Sequence, residues 1–102
     1  MTKYILVYFG GGNIKSKEEG MAHMAAWKAW MEGLGDAVVD PGMPAGKSKT
    51  VGLGGVTDAG DVSGVTILQA ESLDAAVVMA QACPHINIGG TIEVAEAMDM
   101  QM

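Results

Sequence analysis

The chain of 102 residues contains no arginine, so all six of its bases are lysines. The planar fork that reads phosphate and guanine is therefore missing, and twelve acids set the formal charge at −6. Nucleic acid is not an expected partner. A single cysteine excludes an internal disulfide, which suits a reducing compartment. No apolar run reaches the ~18–20 residues needed to cross a bilayer, so no membrane span is expected. The hydrophobic opening stops at glycines after Phe9 with no cleavage-site pattern, unlike a secretory leader. Charged residues are scarce, at 18 %, against 49 % hydrophobic, a balance that argues against disorder. The expectation is a cytoplasmic protein whose residues 1–102 form one domain around one core.

What is present falls into alternating elements. Residues 3–9 form a β-rich run, ended by Gly10, Gly11 and Gly12. Ser16 stands three residues before Glu19, a capping-box spacing that predicts a helix over about 17–34. Residues 36–40 read as a short strand closed by Pro41-Gly42, and residues 50–53 as a possible extra one. A strand over 63–70 precedes a second helix, 73–82, with Ser72 as its N-cap and Pro84 closing it. A last strand spans 91–98, followed by a Met-rich tail. The order β-α-β-β-α-β, with room for an inserted hairpin, predicts an α+β ferredoxin-like sandwich: a mainly antiparallel sheet with both helices on one face.

Two helices cover one face of such a sheet, yet the strands do not alternate apolar with polar. Tyr4, Leu6 and Tyr8 point one way, Ile5, Val7 and Phe9 the other. Exposing three or four large side chains forfeits about 1.5–3 kcal/mol each, a large share of a small domain's stability. A second copy packed sheet to sheet across a two-fold axis is the economical cover. The alternative is a loop folded over the face of a monomer.

On the first helix, Met24, Trp27, Met31 and Leu34 make an apolar stripe at helical spacing. His23 and Trp30 flank it, so His23 sits at the border of the buried face, where an imidazole can exchange protons near neutral pH. A boundary histidine satisfied by a backbone carbonyl has the same signature, and indoles at such positions are more often core than ligand platform. Tracing the chain brings the loops 10–16, 41–62 and 83–90 and the first turns of helix one to the same sheet edge. That edge gathers His23, His85, Asp58, Asp61, Lys47 and Lys49. The glycine triplet lacks the spacing of a phosphate loop. Cys83, at the negative end of helix two, is disfavoured as a thiolate. No HxH or HxxxH spacing suggests a metal, and neither a metal nor a cofactor is expected.

Several stretches together resemble the YCII-related (DGPF-type) family over nearly the whole chain. They are the opening strand, the helix with Trp27 and Trp30, Asp40-Pro-Gly-Met-Pro44, Gly64 at a strand start, Glu71-Ser-Leu-Asp-Ala-Ala76, Cys83-Pro-His85 and Gly89-Gly-Thr-Ile-Glu-Val94. The resemblance implies a ferredoxin-like subunit pairing into a dimeric α/β barrel. Some members of that family are taken to be small enzymes with a His-Asp pair, one relative being a lactone dehydrochlorinase; others are associated with alternative sigma factors. It places the family's histidine at His23. Where relatives carry Asp-Gly-Pro-Phe this chain has Asp58-Ala-Gly-Asp61, so only Asp58 carries over. Where many carry Asp-Pro after the second helix it has Cys83-Pro84, which breaks any dyad built on that aspartate.

The expected function is a homodimer with a small apolar cavity per subunit, binding a small, partly apolar molecule. Its expected chemistry is cofactor-independent elimination or isomerisation. His23 serves as acid or base, Asp58 or His85 orients it, and Trp27, Trp30 and Asp61 contact the ligand. The competing expectation is a non-catalytic ligand-binding or regulatory dimer.

Overall fold

A computed structural model describes residues 1–58 and 60–98, so the Met-rich tail lies outside the described residues. Strand β1 (Thr2–Gly10) leads into helix α1 (Lys17–Leu34). A 3-10 turn, Gly35–Ala37, precedes the edge strand β2 (Val38–Pro44). A separate hairpin, β3 (Thr50–Gly52) and β4 (Gly55–Thr57), comes before strand β5 (Val62–Ala70). Helix α2 (Leu73–Gln81), a 3-10 turn (Pro84–Ile88) and strand β6 (Gly90–Glu96) complete the chain. The main sheet runs β2-β5-β1-β6 with every pair antiparallel, the ferredoxin-like order that the sequence of elements predicts.

Local chemistry accounts for the element ends. The Ser16 hydroxyl accepts the Glu19 amide at 3.1 Å, while the Glu19 carboxylate accepts the Lys15 amide at 2.7 Å. The capping box is real, its return bond reaching one residue further out than the minimal pattern. The Ser72 hydroxyl likewise accepts the Ala75 amide at 3.1 Å and starts α2.

Two expectations need correction. Pro41-Gly42 does not close the second strand; β2 runs through it to Pro44. Because β2 lies at the sheet edge, the missing proline N–H removes no obligatory ladder bond. The strand is bulged there, with register shifts on either side of Asp40. The Asp40 carboxylate accepts the Gly42 amide at 2.8 Å. Gly42 itself has φ +77°, and a Cβ would overlap the Val65 carbonyl oxygen. The second correction concerns α1. Met24 is 73 % exposed, and no α1 residue is fully buried. The helix meets the core through Trp27, Trp30 and Leu34.

The core is Tyr4, Leu6, Tyr8, Leu68, Ala70, Ala76, Ala80 and Cys83. Tyr4, Leu6 and Tyr8 thus take the helix side, with Leu68 and Thr66 beside them across β5. Ala76 and Ala80 let α2 lie close on the sheet, whereas the indoles of α1 act as spacers. Ile5 pairs with Ile67 and Val7 with Val65 on the opposite face, where Val65 stays 39 % exposed. On that face the central strands β1 and β5 are largely apolar, β6 adds Thr91 and Glu93, and no helix covers it. Among the described residues no helix is long and apolar enough to cross a membrane.

Candidate functional site

A cleft of about 610 Å³ opens under the N-terminal half of α1. The ends of β1, β2 and β5, the glycine loop after β1 and the 3-10 turn after α2 supply its walls. Met24, Trp27 and Met31 line it from the helix, and Tyr8, Thr66, His23 and His85 bring the polar atoms. Among the described residues no lysine, aspartate or glutamate lines it, although the chain as a whole is acidic.

His23 and Trp27 lie one helical turn apart, and the Trp27 Nε1–H donates to His23 Nε2 at 2.7 Å. An indole only donates, so Nε2 of His23 carries no proton and the neutral ring holds it on Nδ1. Burial lowers the His23 pKa below its ordinary 6.5, and nearby His85 adds to the effect. The ring is therefore neutral at physiological pH.

His85 is fixed differently. Its Nε2 lies 2.9 Å from the Phe9 carbonyl oxygen. A carbonyl only accepts, so this nitrogen donates and the neutral ring keeps a lone pair on Nδ1. The imidazole is 4 % exposed and occupies a slot between two glycines. A Cβ at Gly11 would come within 2.8 Å of Cε1, and one at Gly90 would overlap Nε2. Gly11 also has φ +87°, which favours glycine on conformational grounds as well.

Tyr8 sits between these groups. Its ring meets Trp27 and His85 edge-on, each at 5.3 Å between centroids. Its hydroxyl donates to Thr66 Oγ1 at 2.7 Å, and Thr66 donates to the Pro41 carbonyl at 3.0 Å. Burial pushes the phenol's pKa well above its ordinary value; the Thr66 hydrogen bond opposes this only in part. The phenol stays protonated.

The remaining candidates lie elsewhere. Asp58 is exposed and paired with Lys49 at 2.7 Å, at the foot of the β3–β4 hairpin, and is not among the cleft-lining residues. The Asp61 carbonyl accepts the Gly10 amide at 3.0 Å; its exposed side chain lies outside the lining too. Trp30 stacks edge-on against Trp27 and donates to the Met79 carbonyl at 3.1 Å, tying α1 to α2. Cys83 is buried, which raises its thiol to about 11. Among the described residues no three His, Cys, Asp or Glu side chains gather as a metal ion requires.

The structure thus brings His23, Trp27 and His85 to one cleft and adds Tyr8 and Thr66 to its wall, with Gly90 packed against the His85 ring; sequence reasoning gave none of these three a role in the site. Gly90 faces Gly10 across β1 and β6. Two glycines opposite each other in adjacent strands are a signal for close approach, visible once the strands are paired.

No family model and no curated protein matches the chain. Among solved structures it is similar to 5-chloro-2-hydroxyhydroquinone dehydrochlorinase (TftG) from Burkholderia phenoliruptrix AC1100, in complex with 2,5-dihydroxybenzoquinone. The TM-score is 0.59 at 21 % identity, over 93 % of each chain. At that identity the likeness shows the fold.

Proposed function

We propose that this chain is a YCII-related, cytoplasmic homodimer whose cleft binds a small, partly apolar molecule and catalyses a cofactor-independent elimination or isomerisation. The observation that carries the reading is the pair of imidazoles on one otherwise uncharged cleft. Each is held by Nε2 through a protein partner, in complementary tautomers.

Those tautomers divide the work. The Nδ1 lone pair of His85, beside Gly11, takes a proton from the substrate, and the resulting imidazolium keeps its bond to the Phe9 carbonyl. The Nδ1–H of His23 donates to the oxygen on which charge develops. In an elimination, the electron pair of the broken C–H or O–H bond moves into the new double bond, and the leaving group departs with its own pair. Trp27 takes the orienting role expected of Asp58 or His85, since Asp58 is engaged with Lys49.

Homodimerisation is supported by the helix-free face of the sheet. Ile5, Val7, Phe9, Val65 and Ile67 there await a cover worth about 1.5–3 kcal/mol per side chain. The neighbour's named reaction supplies the first assay: release of chloride from 5-chloro-2-hydroxyhydroquinone. Turnover that falls about 10²–10⁴-fold in His85→Gln, and again in His23→Ala, is the expected result. Undiminished turnover in both variants overturns the acid–base assignment.

A second reading, a non-catalytic ligand-binding or regulatory dimer, is favoured by the β3–β4 hairpin. It exposes Val51, Leu53 and Val56 on one short hairpin. Ligand binding without turnover, together with loss of partner binding in Leu53→Ser, selects it.

A further inference from the structure

We infer that Tyr8 is the specificity-determining residue of the cleft, and that it selects a neutral ligand presenting a hydroxyl over one presenting a carbonyl at the same place. The inference rests on the reading of the cleft as a binding site, and goes beyond it to the chemistry of what binds.

The starting point is the Pro41 carbonyl, which has lone pairs and no proton. Thr66 Oγ1 lies 3.0 Å from it, so the single hydroxyl proton of Thr66 is committed there. Thr66 then has only lone pairs left for Tyr8, 2.7 Å away, and the phenolic proton is committed in turn. The direction of the whole chain is set by its terminal acceptor. Tyr8 Oη is left with lone pairs alone, and all three members of the chain border the cleft.

A ligand hydroxyl at this wall finds an acceptor. A ligand carbonyl there meets lone pair against lone pair and gives up its hydration for nothing. Sites that satisfy a substrate hydroxyl discriminate strongly against analogues lacking the proton, because the mismatch leaves buried polar atoms unpaired. Charged ligands are disfavoured by a separate observation: among the described residues no lysine, aspartate or glutamate lines the cleft to offset an ion.

The test is a matched pair of neutral probes, 1-phenylethanol and acetophenone, titrated by NMR while following the Trp27 indole N–H. The unaltered protein is expected to bind the alcohol at least about tenfold more tightly than the ketone. In Thr66→Val, of nearly equal volume, the phenolic proton is released and Tyr8 becomes a donor. The ketone then tightens about tenfold and the preference disappears. Thr66→Ser rebuilds the chain and restores the original preference, which separates this effect from a general disturbance of the wall. Equal binding of the two probes by the unaltered protein, or no tightening of the ketone in Thr66→Val, overturns the assignment to Tyr8 while leaving the cleft as a binding site. Failure of both probes to bind the unaltered protein overturns the cleft reading and this inference together.

Discussion

The indole of Trp27 donates to the imidazole of His23 across one turn of α1, at 2.7 Å. The bond exists only while His23 is neutral, because a protonated ring has donors on both nitrogens and would face the indole N–H with another N–H.

Acidification should therefore loosen α1. The folded-state pKa of His23 is lowered by burial and by His85, so the unfolded chain binds the proton more readily than the folded one. The stability from neutral His23 is present above the ordinary 6.5 and is lost as pH falls through the lower folded value. Thermal unfolding followed from about pH 7.5 down to about pH 5 should show a steeper loss in the natural sequence than in His23→Gln, whose amide oxygen accepts from Trp27 without titrating. Equal slopes would remove His23 as the cause.

Gly90→Ala tests the slot around His85. The added methyl overlaps Nε2, so the ring must leave the Phe9 carbonyl or β6 must shift. A loss of about 1–3 kcal/mol in denaturant unfolding is expected, with an altered His85 imidazole resonance. Gly33→Ala, at a helical position with open space around it, should leave the His85 resonance in place and raise stability slightly, by up to about 1 kcal/mol, and serves as the control.

Val7→Asp places a carboxylate at the centre of the helix-free sheet face, opposite Val65 on one side and Glu93 on the other. The natural sequence should sediment as a dimer at micromolar concentration and the variant as a monomer with its fold retained. A natural sequence that sediments as a monomer refutes the pairing.

Cys83 should resist thiol reagents in the folded protein. It is 1 % exposed and its thiol is raised to about 11, so neither access nor thiolate favours reaction. Labelling at neutral pH should track global unfolding, and rapid modification of native protein would contradict the burial.

Much of this protein was legible in its residues. Ser16 with Glu19 and Ser72 as an N-cap marked both helix starts, and the order of elements pointed to the ferredoxin-like arrangement, because these signals act through neighbours in the chain. The sheet edge where His23 and His85 meet also followed from tracing that order. The non-alternating pattern of β1 announced two apolar faces, but which one met the helices was left open, since the period of two is blind to direction.

Tertiary structure alone decided the rest. Tyr8, Thr66 and Pro41 are joined by bonds spanning 58 and 25 residues of chain, and no local pattern foretells a hydrogen-bond direction set by its last acceptor. Asp58 sat well in the sequence argument, yet Lys49, nine residues before it, holds it at the hairpin. What the sequence determined were the features written in short-range periodicity and caps; what only the fold decided was which polar atoms find partners, because burial and close approach depend on strands brought together from the two ends of the chain.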